Sequence, residues 1–211
     1  MASRIVPPRL DEERMLWQQG VTFVAGVDEV GMGPLAGPVV AAAVVFPRDL
    51  SVDETIPPLF PQGVRDSKTL TAKARERLDQ EIRALAPAVG VGVVEVEEID
   101  RINIYRAGMK AMQFALSQLT VRPEHVLIDG RSLPDLPYPH STFVKGDRDV
   151  YSIAAASIVA KVYRDRLMIA LDAQYPEYGF ARHMGYGTNA HREALRQFGP
   201  SPVHRRSFRL L

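Results

Sequence analysis

Asp28 and Glu29 stand side by side where an apolar run ends, Asp129 closes another such run, and Asp147 follows Lys145-Gly146 just after a third. Apolar runs of this length read as strands, and strand ends of one sheet can converge. Three or four carboxylates brought together without matching bases repel strongly, and a divalent cation is the simplest physical remedy. The chain has no cysteine, so a metal sits on oxygen or imidazole. A set of oxygens favours Mg²⁺ or Mn²⁺ over zinc. Two such ions roughly 4 Å apart are the general device for in-line phosphodiester hydrolysis, one activating water and the other stabilising the leaving oxygen. Attack from the 5′ side leaves a 3′ hydroxyl and a 5′ phosphate. Successive strand residues point to opposite faces, so Asp28 and Glu29 share one site only if the strand bends or ends there. Taken singly, each acid except Asp28 reads as a turn or cap residue, Asp129-Gly130 being an ordinary turn pair.

The elements that would position these acids follow from periodicity. Phe23–Asp28 and Val39–Phe46 read as strands joined by a Gly/Pro-rich turn. Residues 47–66, with four prolines, form an irregular loop. Thr71 caps a helix that carries Ala74, Leu78, Ile82 and Leu85 on one side and stops at Pro87. Val89–Val96 is a third strand and Ile104–Leu119 a helix; His125–Asp129 and Thr142–Lys145 are two further short strands. Tyr151–Tyr175 is a long helix whose first half, small and apolar almost all round, predicts burial beneath the sheet. A final helix, Thr188–Phe198, closes at Gly199-Pro200. Strands first, then alternating helix and strand, give a mixed sheet with helices packed on it. The first two strands run antiparallel, and the later ones are free to run parallel to the first.

Several motifs then add up. DEVGMGPLAGPVVAAA from Asp28, Asp66-Ser67-Lys68, Ile128-Asp129-Gly130, Lys145-Gly146-Asp147, SIAAASIVAK from Ser152 to Lys161, Tyr178-Gly179-Phe180, HMGYGT from His183 and HRRSF from His204 occur in this order. Spanning residues 24–208, this set resembles bacterial ribonuclease HII. The resemblance implies a ribonuclease-H-like α/β fold, a mixed sheet flanked by helices, with a C-terminal helical extension. It divides the chain into an N-terminal extension (1–20), a catalytic core (21–175) and a basic extension packed on it (176–211). It implies endonucleolytic cleavage of RNA in RNA–DNA hybrids, including the bond 5′ to a single ribonucleotide in duplex DNA. By motif, Asp28, Glu29, Asp129 and Asp147 are the metal-binding catalytic acids, with two Mg²⁺ or Mn²⁺ ions. Asp165 is left as a structural partner of an arginine.

An enzyme that cuts at ribonucleotides must sense the 2′ hydroxyl. The missing side chains of Gly31 and Gly33 would let backbone groups approach the sugar closely, and the same glycines also serve the tight bend itself. The resemblance assigns Tyr186 to packing against the sugar at the RNA–DNA junction. Lys68 and Lys145 are candidate phosphate contacts, each equally readable as a surface lysine. His183 and the His204-Arg205-Arg206 tail add basic groups to the presumed groove. Met32 and Met184 stand where the family usually carries basic residues, which removes two phosphate contacts while Met32 remains on the substrate-facing loop.

Composition excludes several alternatives. With 26 basic and 25 acidic residues the net charge is +1, which is no polyelectrolyte tail. Yet from Gly179 to Leu211 six arginines face one acid, Glu193, an end suited to phosphates. The longest apolar segments fall well short of the roughly 20 residues that cross a bilayer. Pro7, Pro8 and a charged run occupy the place of a secretory signal, so a cytoplasmic protein is expected. There is no Gly-x-Ser-x-Gly elbow and no phosphate loop ending in Gly-Lys-Ser/Thr. The expected partners are RNA–DNA hybrid and ribonucleotide-containing duplex, with no membrane; a monomer is expected and a replication clamp is a candidate partner. The alternative is a non-catalytic RNA–DNA hybrid-binding protein, whose signature is metal-free binding without cleavage.

Overall fold

The computed structural model describes residues 7–49, 56–133 and 135–211. In chain order the elements are α1 (Asp11–Gln18), β1 (Val24–Val30), β2 (Val39–Val45), α2 (Ala72–Leu85), β3 (Ala88–Val94), α3 (Val96–Ile102), α4 (Ile104–Ser117), β4 (His125–Asp129), β5 (His140–Phe143), α5 (Gly146–Asp149), α6 (Tyr151–Gln174), α7 (Phe180–His183) and α8 (Asn189–Phe198). Single 3₁₀ turns lie at Ser67–Thr69 and Pro176–Tyr178. The tip of the long proline-rich loop (50–55) and Pro134 of the connection before β5 lie outside the described residues, as do residues 1–6 of the expected N-terminal extension.

The five strands form one mixed sheet in the order β3-β2-β1-β4-β5. β1 and β2 pair antiparallel, as do β2 and β3, while β4 pairs parallel with both β1 and β5. This is the expected hairpin followed by strands that run with the first. β2, Val39–Val45, is buried at every position because helices cover both faces. Alternation along β1 then sorts the core into two layers. Val24 faces a cluster with Ile153, Ala154, Ala155 and Ile158 of α6, and Ala25 and Val27 face one with Ala107, Ala111 and Ala115 of α4.

The small residues of α6 let it lie almost on the strands. A Cβ at Gly26 would come within 2.3 Å of the Ser152 backbone carbon, so no other residue fits at that crossing. The same core takes in α1: Leu10 and Trp17 are fully buried in it. Emptying so large a buried ring costs about 3–5 kcal/mol, which fixes the N-terminal stretch against α6.

Three expectations shift. The third strand stops at Val94 because Val96 opens α3, a helix too short to show periodicity in sequence. Asn103, at φ 72°, then breaks the chain between α3 and α4 and caps α4 by accepting from Arg106 N at 3.1 Å. The fifth strand lies at His140–Phe143 rather than Thr142–Lys145, because Lys145 adopts φ 63° and starts α5 instead. Thr71 caps α2 as expected, and Thr188, expected as the first residue of the last helix, caps α8 instead, each accepting an N–H three residues on at 3.2 Å. Among the described residues no helix is long and apolar enough to cross a membrane.

Candidate active site

β1 delivers two acids to the sheet edge from opposite faces. By the alternation that sends Val24 to α6 and Val27 to α4, Asp28 lies on the α6 side and Glu29 on the α4 side. The strand does not end between them, since both still pair with β2, opposite Ala42 and Ala41. Asp129 closes the neighbouring β4, where β1 and β4 part after Val27 and Ile128. Asp147 comes from α5, the single turn that feeds α6. That turn is fastened to β4 by Gly146 N, which donates to Asp129 Oδ1 at 2.6 Å.

The four acids act on one another through a shared, poorly solvated space. Asp28, only 5% exposed, is pushed well above the usual carboxylate range by burial first and then by the charges of Glu29 and Asp129. Glu29 is raised to about 7 by burial and then by Asp129, with the charge of Lys68 working against the rise. Asp147 is also raised, by burial and then by Asp129 and Asp66. One buried oxygen, Glu29 Oε2, has no hydrogen-bond partner. Asp28 Oδ1 accepts from Glu29 N at 2.7 Å.

These residues fit a divalent cation by donor type, by charge and by the orphaned oxygen of Glu29. They do not form a finished shell. Among the described residues no three acid or imidazole side chains already stand as a coordination group, which follows from Asp28 and Glu29 lying on opposite faces and from Asp129 being engaged by Gly146. Both observations hold together: neighbouring acids raise the proton affinity of Asp28, Glu29 and Asp147, while the oxygens are not gathered into one shell.

The loop after β1 runs beside the acids. Gly31, at φ 95°, has the side-chain direction filled by Arg164, whose Nε would lie 2.4 Å from a Cβ there. The glycine is thus demanded from inside the protein. Gly33 is open on its outer side, where only Tyr186 Cε1 comes within contact, 3.8 Å from a Cβ position. Tyr186 is 42% exposed and its ring lies in van der Waals contact with Gly33, so the two meet at a shallow surface slot. Met32 does not project toward that slot. Its sulfur packs over Gly108 of α4, 3.0 Å from where a Cβ would be. With Glu29, Tyr105, Met109, Met112 and Asp129 it lines an apolar pocket of about 300 Å³. An uncharged thioether gains more from that seat than from water.

Lys68 and Lys145 are exposed, on the turn before α2 and at the head of α5. His183 is half-buried, with Nε2 against Tyr178 O at 2.9 Å and its ring stacked 4.5 Å from His191. His191 holds Tyr186 O through Nδ1 at 2.9 Å and meets His204 Nε2 to Nε2, also at 2.9 Å. Burial, then the neighbouring His191, pulls His204 down to about 4. These imidazoles are therefore supports beneath Tyr186. The basic tail expected in the groove is likewise corrected: His204 and Arg205 are buried, while Arg206 N and Ser207 N fasten the chain to Asp100 at 2.9 Å. Charge alone marks these residues in the sequence, and charge carries no sign of burial. Asp165 joins Lys161 at 2.5 Å and Arg75 at 3.4 Å, the structural pairing expected of it.

Residues 25–211 match the family model described as Ribonuclease HII. A ribonuclease HII of Geobacillus kaustophilus is 52% identical over 196 residues, 93% of this chain and 72% of that one. The solved ribonuclease H2 of Pyrococcus horikoshii superposes with a TM-score of 0.71 at 29% identity, covering 89% of this chain and 94% of that one. The PCNA:RNase HII complex from Archaeoglobus fulgidus gives 0.71 at 27%, covering 90% and 96%. The likeness runs unbroken from the first strand, with its paired acids, to the last residue of the tail that closes over the glycine loop, and the chain belongs to the ribonuclease HII family.

Proposed function

We propose that Asp28, Glu29, Asp129 and Asp147 hold the divalent ions of an endonuclease that cuts the 5′ side of ribonucleotides, in RNA–DNA hybrids and singly in duplex DNA. The observation that carries the reading is the shared, solvent-poor edge where each of Asp28, Glu29 and Asp147 is raised by burial and by neighbouring acids. A pair of Mg²⁺ or Mn²⁺ ions bound there supplies activation of the attacking water and stabilisation of the leaving 3′ oxygen. Asp28 and Asp129 offer oxygens from adjacent strands, Glu29 offers its unpartnered oxygen from the α4 side, and Asp147 closes the set from α5. The slot between Gly33 and Tyr186 receives the ribose, and a deoxyribose leaves its polar groups unmatched. Lys68 and Lys145 meet the phosphates on either side of the cut, and His183, stacked on His191, stabilises the Tyr186 loop from below. A sliding clamp is the partner class we assign on the strength of the archaeal relative solved with PCNA.

The test is incubation of the protein with a duplex carrying one ribonucleotide in Mg²⁺, in Mn²⁺ or in EDTA. Cleavage 5′ to the ribonucleotide, dependent on metal and leaving a 3′ hydroxyl, is expected. Tight binding with no cut in either metal would replace this reading with that of a hybrid-binding protein.

A further inference from the structure

Arg164 and Arg205 are the two largest charged side chains in the interior, each at 0% exposure. Neither is paired with an acid: Asp165, beside Arg164 in sequence, turns to Lys161 and Arg75, and Asp100 receives Arg206 N and Ser207 N. Their seven hydrogen bonds all go to backbone carbonyls. Arg205 reaches Gly31 O at 2.6 Å, Met32 O at 3.3 Å, Gly37 O at 2.9 Å and Pro38 O at 3.2 Å. Arg164 reaches Pro38 O at 3.0 Å, Ala36 O at 3.2 Å and Met184 O at 3.0 Å. Burying two unpaired cations is expensive, and joining a loop to a tail does not by itself require it.

The effect on the loop follows from peptide planarity. In a trans peptide the C=O and the N–H point opposite ways, and the described chain contains no cis bond. With Gly31 O and Met32 O drawn inward to Arg205, Met32 N–H and Gly33 N–H are turned outward. Among the described residues neither donates to a protein acceptor. Two adjacent outward N–H groups, backed by two buried positive charges, form a donor pair for an oxygen-rich strand. They sit at the Gly33 wall of the slot. Arg164 ties the opposite wall to the same frame through Met184 O, two residues before Tyr186, and Leu35 N adds a bond to Gly185 O at 2.8 Å.

We infer that Arg205, with Arg164 behind it, is a positioning residue for ribonucleotide recognition. By holding the carbonyls of residues 31–38 inward it fixes the outward N–H pair and the seat of Gly33 against Tyr186. The inference rests on the slot being the ribose site.

The test compares wild type with Arg205→Lys, which keeps the charge but cannot reach four carbonyls, and with Tyr151→Phe. The latter removes a buried hydrogen bond to Pro61 O far from the slot and controls for lost stability. For each protein, kcat/KM on a single-ribonucleotide duplex and the inhibition constant of an all-DNA duplex of the same sequence are measured. Arg205→Lys should lose about tenfold in kcat/KM, the worth of one or two hydrogen bonds, with the all-DNA constant within about twofold of wild type. Ethylguanidinium should restore part of the loss in Arg205→Ala and do nothing to wild type. Equal losses on both duplexes, or losses no larger than in Tyr151→Phe, overturn the inference. Should Arg205→Lys fail to fold, Arg164→Lys is judged by the same two constants and decides the matter. Wild type that cuts no ribonucleotide duplex would instead overturn the proposed function.

Discussion

Glu13 on α1 is fully buried and puts its carboxyl at the head of α6, where Oε1 accepts from Ser152 N at 2.7 Å. Its other oxygen has no hydrogen-bond partner, and the Ser152 hydroxyl lies beside the carboxyl without one. Burial, the largest influence, raises the group from 4.5 to about 7, with the polar groups of Ser152 opposing it. In the unfolded chain it ionises near 4.5, so between these values the folded protein holds the extra proton. Stability from this group is fully present below pH 4.5 and is lost as pH rises through about 7. At about 1.4 kcal/mol per pH decade, the gap amounts to about 3 kcal/mol. Glu13→Gln keeps an acceptor for Ser152 N and cannot ionise. The stability difference, variant minus wild type, should therefore rise by about 3 kcal/mol between pH 4 and pH 8, whatever its starting value. Urea unfolding at a series of pH values measures it, and titrating groups elsewhere cancel in the difference. A difference flat across that range would show that Glu13 ionises normally in the fold and that the burial argument is wrong.

Asp28→Asn, Glu29→Gln, Asp129→Asn and Asp147→Asn should each lower kcat by orders of magnitude while duplex binding changes little, because lost charge at an ion site weakens the transition state more than docking. Full activity in Asp129→Asn, by gel cleavage assay, removes the two-ion reading. Tyr186→Ala should impair cleavage at a lone ribonucleotide more than in long hybrid RNA, which offers many registers; equal losses reduce Tyr186 to a loop residue. Met32→Arg empties the seat over Gly108 and sends a charge outward, so the plot of log K against log salt should steepen by about 0.7–0.9. An unchanged slope means that the arginine stays folded over α4.

The mixed sheet and its antiparallel opening pair were readable because β2 is an unbroken apolar run and α6 an almost unbroken small one, whereas the order of the strands was not. The start of α2 at Thr71 was readable from cap chemistry. What sequence could not supply was direction. A methionine between two glycines looks like a tip residue, yet Met32 turns sideways because α4 presents a glycine for it to cover. An arginine in a basic tail looks like a phosphate ligand, yet Arg205 turns inward because the loop offers it four backbone carbonyls. Gly31 carries a similar lesson, since its need for a missing side chain comes from Arg164 and not from any ligand. Contacts between residues far apart in the chain decide all three, and no local pattern records them.

The bond from Arg205 to Gly31 joins positions 174 residues apart. Translation runs from the amino end, and domains begin to fold while still being made. The hairpin of β1 and β2 is therefore available early, with Asp129 and Asp147 still to come, but the carbonyls of Gly31 and Met32 between its strands stay unheld until Arg205 has been synthesised. On the function proposed above, a nascent chain that already displays Asp28 and Glu29 cannot yet hold the loop assigned to the ribose, so selectivity comes later in synthesis than the strand that carries the first two acids.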